Sequence, residues 1–248
     1  MRCDGHDDSG AEYASPPCFL HELDPSYLGS TAPLPPEQIG PWRKRERERL
    51  LRQRQAVPSG QRRHWDAAIV RTLRQRLADV RSAVVSAYWP IRGEPDLRPL
   101  LAELTAAGAR IALPLVVDKG RPLLFKEWRQ GARLERGIWG IPFPAEGAVV
   151  RPDLLLVPVL GFDRAAYRLG YGGGYFDRTL AELADSARAI GVGYGLAEIP
   201  TIHPQPHDIA MDLVVTESCT IKSAERSRRR ADGVPAGAAG GAAPRSGP

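Results

Sequence analysis

The sequence predicts an α/β protein: a three-layer αβα sandwich in which a mainly parallel sheet is covered by helices on both faces. Three observations carry this expectation. Short runs such as AVVSAYW at 83–89, IALPLVV at 111–117 and LLLVPVL at 154–160 are apolar with little alternation, the pattern of strands buried on both sides. Between them lie segments with apolar residues every third or fourth position, the helix period. The two kinds of segment alternate along the chain, the order a parallel sheet needs, and no internal repeat is visible. A single Rossmann-like domain from about Pro41 to Ile221 is expected, between an irregular arm (1–40) and a disordered tail (222–248).

Of the 248 residues 43% are apolar, enough for a substantial core. No apolar stretch reaches transmembrane length and the N-terminus is polar and acidic, so a soluble cytoplasmic protein is expected. The formal charge of +5 is concentrated in Arg43 to Arg54 and in the stretch from Lys222 to Arg230. No recognised nucleic-acid motif accompanies these arginines; a small polyanion needs fewer contacts. Three cysteines, Cys3, Cys18 and Cys219, are few for a disulfide framework and fit a reducing compartment.

Residues 1–40 are proline-rich. They contain Cys3-x-x-His6 and Cys18-x-x-His21, which can be written as a loosely spaced zinc site, although a strap packed through Phe19, Leu20, Leu23 and Tyr27 accounts for the segment as well. Trp42 to Ala56 is strongly helix-forming and laced with opposite charges, and Arg43, Arg47 and Arg54 share one helical face. Pro58-Ser59 offers a cap for the next helix, where Trp65, Ile69, Leu73 and Leu77 make a core-facing stripe. The strand at 83–89 exits through PIRGEP, which sets Glu94 at the carboxyl end of a sheet strand. Leu97, Leu100, Leu101 and Leu104 mark a helix ending near Gly108. Strands follow at 111–117 and 123–128, then a loop, Gly137 to Pro144, leading to the strand at Leu154. Beyond the glycine stretch, Leu180, Leu183 and Ala187 mark a helix, Ala189 to Tyr194 a strand, and Leu213 to Thr216 the last strand. His207, Asp208 and Asp212 precede it, in what composition alone reads as a solvated loop. From Glu225 onward the chain has little apolar area to offset ordering.

The stretch GFDRAAYRLGYGGGYFD, Gly161 to Asp177, stands between a strand and a helix, where open α/β sheets bind ligands. Gly170, Gly172, Gly173 and Gly174 allow positive φ and a close approach of backbone amides to a ligand, which suits phosphate oxygens. Arg168 adds a guanidinium fork, and the helix N-terminus adds partial positive charge. Asp177 would repel a phosphate unless a cation lies between them, so a bridging Mg²⁺ is the economical explanation. The Lys-Ser/Thr pair of a Walker A loop is absent, and the dinucleotide fingerprint is missed by one residue. A flexible glycine loop with Asp177 as an ordinary helix-start residue accounts for the glycines alone.

Taken together, FDRAAYRLGYGGGYFDR resembles the signature of the 5-formyltetrahydrofolate cyclo-ligase family. The similarity extends through the basic start with Arg43, Lys44 and Arg47, and through YWPIRGEPDLRPLL, IALPLV, LLFKEW, GIWGIP and PHDIAMDLVVTE in the family's order. The resemblance implies conversion of 5-formyltetrahydrofolate to 5,10-methenyltetrahydrofolate, with ATP as co-substrate and Mg²⁺ as cofactor. On this resemblance ATP is held by Arg43, Lys44, Arg47, Arg168, Leu169, Gly170, Tyr171, Gly172, Gly173, Gly174, Tyr175 and Phe176. The folate is met by Arg47, Trp89, Glu94, Tyr171 and Gly172. Asp177 and Asp208 match the metal ligands, and Arg168 and Asp177 are the expected catalytic pair. A monomer acting on a folate, with or without a polyglutamate chain, is expected.

Three positions depart from the family pattern: Ala166 replaces a usual glycine, Phe176 a tyrosine, and Phe143 an acidic residue. These leave room for a relative that uses Mg·ATP to activate a different amide or carboxyl group. A basic RNA-binding protein is the non-enzymatic alternative, acting through Arg43 to Arg54 and the arginine-rich tail.

Overall fold

The first helix opens earlier than the sequence suggests. In the computed structural model, which describes residues 33–184 and 186–231, α1 runs Pro36–Ala56 rather than from Trp42. Proline at the first helical position loses no hydrogen bond, because that amide is unpaired in any helix, and Glu37 complements the helix start. Cys3, His6, Cys18 and His21 lie outside the described residues.

The second helix, α2 (Ser59–Arg76), buries Ile69 and Leu73, with Leu77 just beyond its end. Ser59 is its first helical residue and makes no capping bond; Pro58 takes the cap position. Next come β1 (Val84–Ser86), α3 (Arg98–Ala106), β2 (Arg110–Leu115) and β3 (Leu124–Trp128). Gly108, at φ +95°, closes α3 as expected: its N–H bonds to Thr105 O at 3.0 Å, and Ala109 N–H to Leu104 O at 3.0 Å.

The expected loop at 137–144 is a wall. It comprises β4 (Leu134–Arg136), a 3-10 turn at Ile138–Gly140 and β5 (Pro142–Pro144), with β4 and β5 paired as a hairpin. After β6 (Val149–Val150) and β7 (Leu154–Pro158), the glycine stretch hides a second hairpin, β8 (Gly161–Phe162) with β9 (Arg168–Leu169). Helix α4 (Tyr175–Glu182) follows, then β10 (Arg188–Val192), β11 (Leu213–Val215) and β12 (Thr220–Lys222). The strand at Leu213 is therefore not the last.

The large sheet has the order β12-β11-β10-β7-β1-β2-β3-β6. The five strands from β11 to β2 are parallel, and β12, β3 and β6 add antiparallel edges. Alternate residues feed two cores. Val85, Ile111, Leu113, Leu154, Leu156, Ile190 and Val192 join α2 and α3 on one face, whereas Val84, Ala112, Leu155, Val157 and Ala189 join Leu180 of α4 on the other. This is the period of two that a pleated strand imposes. A third cluster, Leu50, Leu160, Leu169, Ile199 and Ile202, seats α1 near the β8–β9 hairpin.

The tail expected to be disordered from residue 222 instead pairs at β12 and then forms α5 (Ala224–Ala231). Ser223 Oγ accepts the Arg226 N–H at 3.1 Å, and Arg226 reaches Asp212 at 3.5 Å, both side chains buried. A buried ion pair and a serine cap order a segment whose composition offers no apolar face. No helix among the described residues is long and apolar enough to cross a membrane.

Candidate active site

The chain runs from β1 outward to β2 and later returns to the other side of β1 with β7, so the connections change direction between these neighbours. Such a switch point opens a crevice at the carboxyl ends of the strands. Here it is a cavity of about 670 Å³, bounded by Ile91 and Arg92 after β1, Pro114 to Val116 at the end of β2, and Pro158 at the end of β7. Residues 168–177 form another wall, Arg43 and Arg47 of α1 a third, and Ile138, Ile141 and Phe143 of the β4–β5 hairpin a fourth.

Helix α1 carries arginines where a core helix would carry apolar residues. Ile39, Arg43, Arg47, Leu50 and Arg54 recur every three or four positions, and all but half-buried Arg47 are buried. Arg47 Nε donates to Gly170 O at 2.8 Å. Burial, and then the neighbouring Arg43 charge, pull its pKa below the ordinary guanidinium value. Arg178 Nη2 holds Gly173 O at 2.7 Å. Each bonded carbonyl turns the N–H of the next residue, Tyr171 or Gly174, to the opposite side of its peptide plane. Gly172 and Gly174 take φ of +95° and +64°. At Gly174, which caps α4, a Cβ would also fall 2.7 Å from Arg178 Nη1. The loop thus uses its glycines for backbone shape.

Arg168 is buried yet borders the cavity, and desolvation lowers its pKa. Its Nη1 donates to Asp177 Oδ1 at 2.8 Å, its guanidinium lies 5.7 Å from the Phe176 ring centre, and its buried Nε has no partner among the described residues. Phe176 therefore offers Arg168 an aromatic face. Asp208 is engaged on both oxygens: Arg43 donates to Oδ1 at 3.2 Å and also to Oδ2, which receives the Gln205 N–H at 2.6 Å. Arg43 is fixed further by the carbonyls of Ile202 and His203, at 3.1 and 2.9 Å.

The structure brings most of the expected residues together, but not all. Arg43, Arg47, Leu169 and the whole run from Arg168 to Asp177 border the cavity, as does Asp208. Lys44 is exposed and outside the cavity wall. Trp89 also lies outside it, edge-on to Trp128 at 6.0 Å and beneath the Arg98 guanidinium at 5.6 Å. Glu94 is buried just behind the wall, accepting the Ile91 N–H and the Tyr171 hydroxyl, each at 2.9 Å.

Sequence reasoning missed two groups. The β4–β5 hairpin gave no strand signal, since its strands have three residues each and β5 has proline at both ends. Asp163, which builds the β8–β9 turn, was also missed. Its Oδ1 accepts the N–H groups of Ala165 and Tyr167 at 3.0 and 3.1 Å, and its Oδ2 accepts that of Ile202 at 3.1 Å. Its position as the first residue of the 163–166 turn was the available signal. Ala166, in that turn, is buried at φ +67°, a conformation that explains the family's usual glycine.

The 5-formyltetrahydrofolate cyclo-ligase family model matches residues 39–217. The chain is 35% identical to a 5-formyltetrahydrofolate cyclo-ligase of Mycolicibacterium smegmatis, over 68% of this chain and 91% of that protein. It is 29% identical to the Escherichia coli K12 protein of the same description, over 56% and 80%. The NMR structure of Aquifex aeolicus 5,10-methenyltetrahydrofolate synthetase superposes with a TM-score of 0.65 at 29% identity, covering 73% of this chain and 93% of that one. Because the family match takes in every strand that ends at the cavity and the whole glycine loop, this chain is an enzyme that belongs to the 5-formyltetrahydrofolate cyclo-ligase family.

Proposed function

We propose that the cavity binds ATP and 5-formyltetrahydrofolate together and forms 5,10-methenyltetrahydrofolate, ADP and phosphate. The observation that carries this reading is the glycine loop, set opposite the α1 arginines across a crevice at the sheet's switch point. The formyl oxygen attacks the γ-phosphorus as the bond to ADP breaks. N10 then attacks the activated formyl carbon, loses its proton, and phosphate departs with the former formyl oxygen.

The protein's task is positioning and charge neutralisation. Arg47, Arg168 and the loop amides offer donors to the phosphates. Phe143 and the isoleucines at 138 and 141 offer an apolar surface to the pterin, a role in which Phe143 stands in for Trp89, which does not border the cavity. Tyr171, which borders the cavity, offers a polar contact at the pterin's edge, and Glu94 supports that tyrosine from behind the wall.

Asp177 fits a Mg²⁺ ion: Arg168 engages one carboxylate oxygen, and the other has no hydrogen bond among the described residues. No cluster of three His, Cys, Asp or Glu ligands occurs among the described residues, which suits a metal that takes its remaining ligands from phosphate and water. Such an ion would draw electron density from the γ-phosphate. Asp208 acts behind it, holding Arg43 toward the cavity.

The test is the absorbance of the methenyl product with 5-formyltetrahydrofolate, ATP and Mg²⁺, wild type beside Asp177→Asn. A rise that requires both ATP and Mg²⁺ and is strongly reduced in the variant is expected. Absence of any rise with ATP still bound would refute the reading and favour a different acceptor.

A further inference from the structure

Arg54 stands four residues past Leu50 on the buried stripe of α1, outside the cavity wall. It is 3% exposed, a costly place for a guanidinium unless its bonds serve a purpose. Its Nε donates to Arg92 O at 3.2 Å. Its Nη2 donates to the Tyr171 hydroxyl, which donates in turn to Glu94 Oε1 at 2.9 Å. The direction of this relay is fixed, because a guanidinium has only donors and the tyrosine hydroxyl, once it accepts from Arg54, has its proton left for the carboxylate. Nη1 is buried without a partner among the described residues.

The two loops that Arg54 joins are both conformationally demanding. Arg92 and Gly93 take φ of +49° and +76°, which folds Glu94 back so that its N–H reaches Ile91 O and its Oε2 receives the Ile91 N–H. Tyr171 sits among the glycines of the phosphate loop, where little side-chain packing fixes the backbone. The residue is 41% exposed, and its ring is flanked by the Arg54 and Arg92 guanidiniums at 5.7 and 5.5 Å. A glycine-rich loop has many accessible conformations, so a part-buried bond at its second residue removes much of that freedom.

We propose that Arg54 is a positioning residue that acts through Tyr171, locking the glycine loop and Glu94 into one unit so that the two halves of the cavity are set together. The kinetic part rests on the reading that the loop meets ATP and that Tyr171 meets the folate; the structural part does not.

The test compares full-length wild type, Arg54→Met, Arg54→Lys, Tyr171→Phe and the Arg54→Met/Tyr171→Phe double variant. In ligand-free protein, amide exchange of Ile91 and Glu94, whose N–H groups are bonded within the loop that Arg54 and Tyr171 hold, is expected to speed up by about tenfold in Arg54→Met and in Tyr171→Phe, as befits a lost charge-assisted bond, with core strands unchanged. Unchanged loop exchange in both variants overturns the proposal whatever the substrate is. In steady state, each single variant is expected to raise KM for 5-formyltetrahydrofolate by about tenfold, and the double variant by little more than either, since Arg54 acts through the hydroxyl. Arg54→Lys, which keeps the charge but loses the fork, is expected to rescue only partly. Additive effects, or a lower Tm with unchanged KM, would reduce Arg54 to a structural staple. If Arg54→Met fails to fold, Tyr171→Phe, which removes only the hydroxyl, decides the exchange arm. If wild type forms no methenyl product, the functional reading fails and loop exchange alone decides the inference.

Discussion

Replacing Asp208 by Asn separates two roles for the same carboxylate, a buried staple and a direct ligand for a metal. Its side chain is 6% exposed and bonded on both oxygens, while Arg43, 9% exposed, depends on it for charge compensation. Removing one member of a buried pair costs about 3–5 kcal/mol, because the other stays buried with its charge uncompensated. The bonds from Arg43 to the Ile202 and His203 carbonyls survive the substitution, so the lower end, about 3 kcal/mol, is expected. For a chain of 248 residues, about 2–4 °C per kcal/mol gives a fall in Tm of about 6–12 °C. The assay is thermal unfolding in chelator, without nucleotide, followed by Mg²⁺ titration in the presence of ATP. If Asp208→Asn keeps the wild-type Tm in chelator and loses only the stabilisation that Mg²⁺·ATP adds, the staple argument is refuted and the carboxylate is a ligand.

Arg226→Ala tests the ordering of the tail: the Asp212 carboxylate keeps its bond from the Ala189 N–H at 2.7 Å but loses a buried guanidinium, and a loss of about 2–3 kcal/mol in urea unfolding is expected. A disordered tail would show no change. Glu94 gives a pH dependence. Burial raises its pKa above the ordinary carboxylate value, against the opposing pull of the Ile91 N–H, the Arg54 charge, the Tyr171 hydroxyl and the Arg92 charge. Between the unfolded and the raised folded value, the native state keeps a proton that the unfolded chain has released. Stability from this group therefore falls as pH rises through that window, and its cost is fully present above it. Glu94→Gln is expected to remove that slope from a plot of Tm against pH, and an unchanged slope would mean that Glu94 does not titrate there.

Much of the fold was legible because it depends on local periodicity. The α2 stripe and the apolar runs of β1, β2 and β7 read correctly, since a strand buried on both faces leaves a simple sequence trace. The two-residue strands β8 and β9 did not, because a period needs more residues than they have. Helix α5 was hidden for a different reason. Its order comes from Arg226 meeting Asp212 across 14 residues, a contact that composition does not record. The site divides similarly: the glycine loop was visible as a motif, whereas the place of Phe143 in the cavity wall and the absence of Trp89 from it were not.

The sequence alone determined which backbone could exist where: glycines able to take positive φ at 172 and 174, an arginine face on the first helix, strands and helices in the order of a parallel sheet. Only the tertiary structure decided which charge each arginine meets. Arg43 finds Asp208 across 165 residues and Arg54 finds Tyr171 across 117. Helical spacing places guanidiniums on a common face, but strand order brings their partners to that face, and burial makes those pairings count in energy.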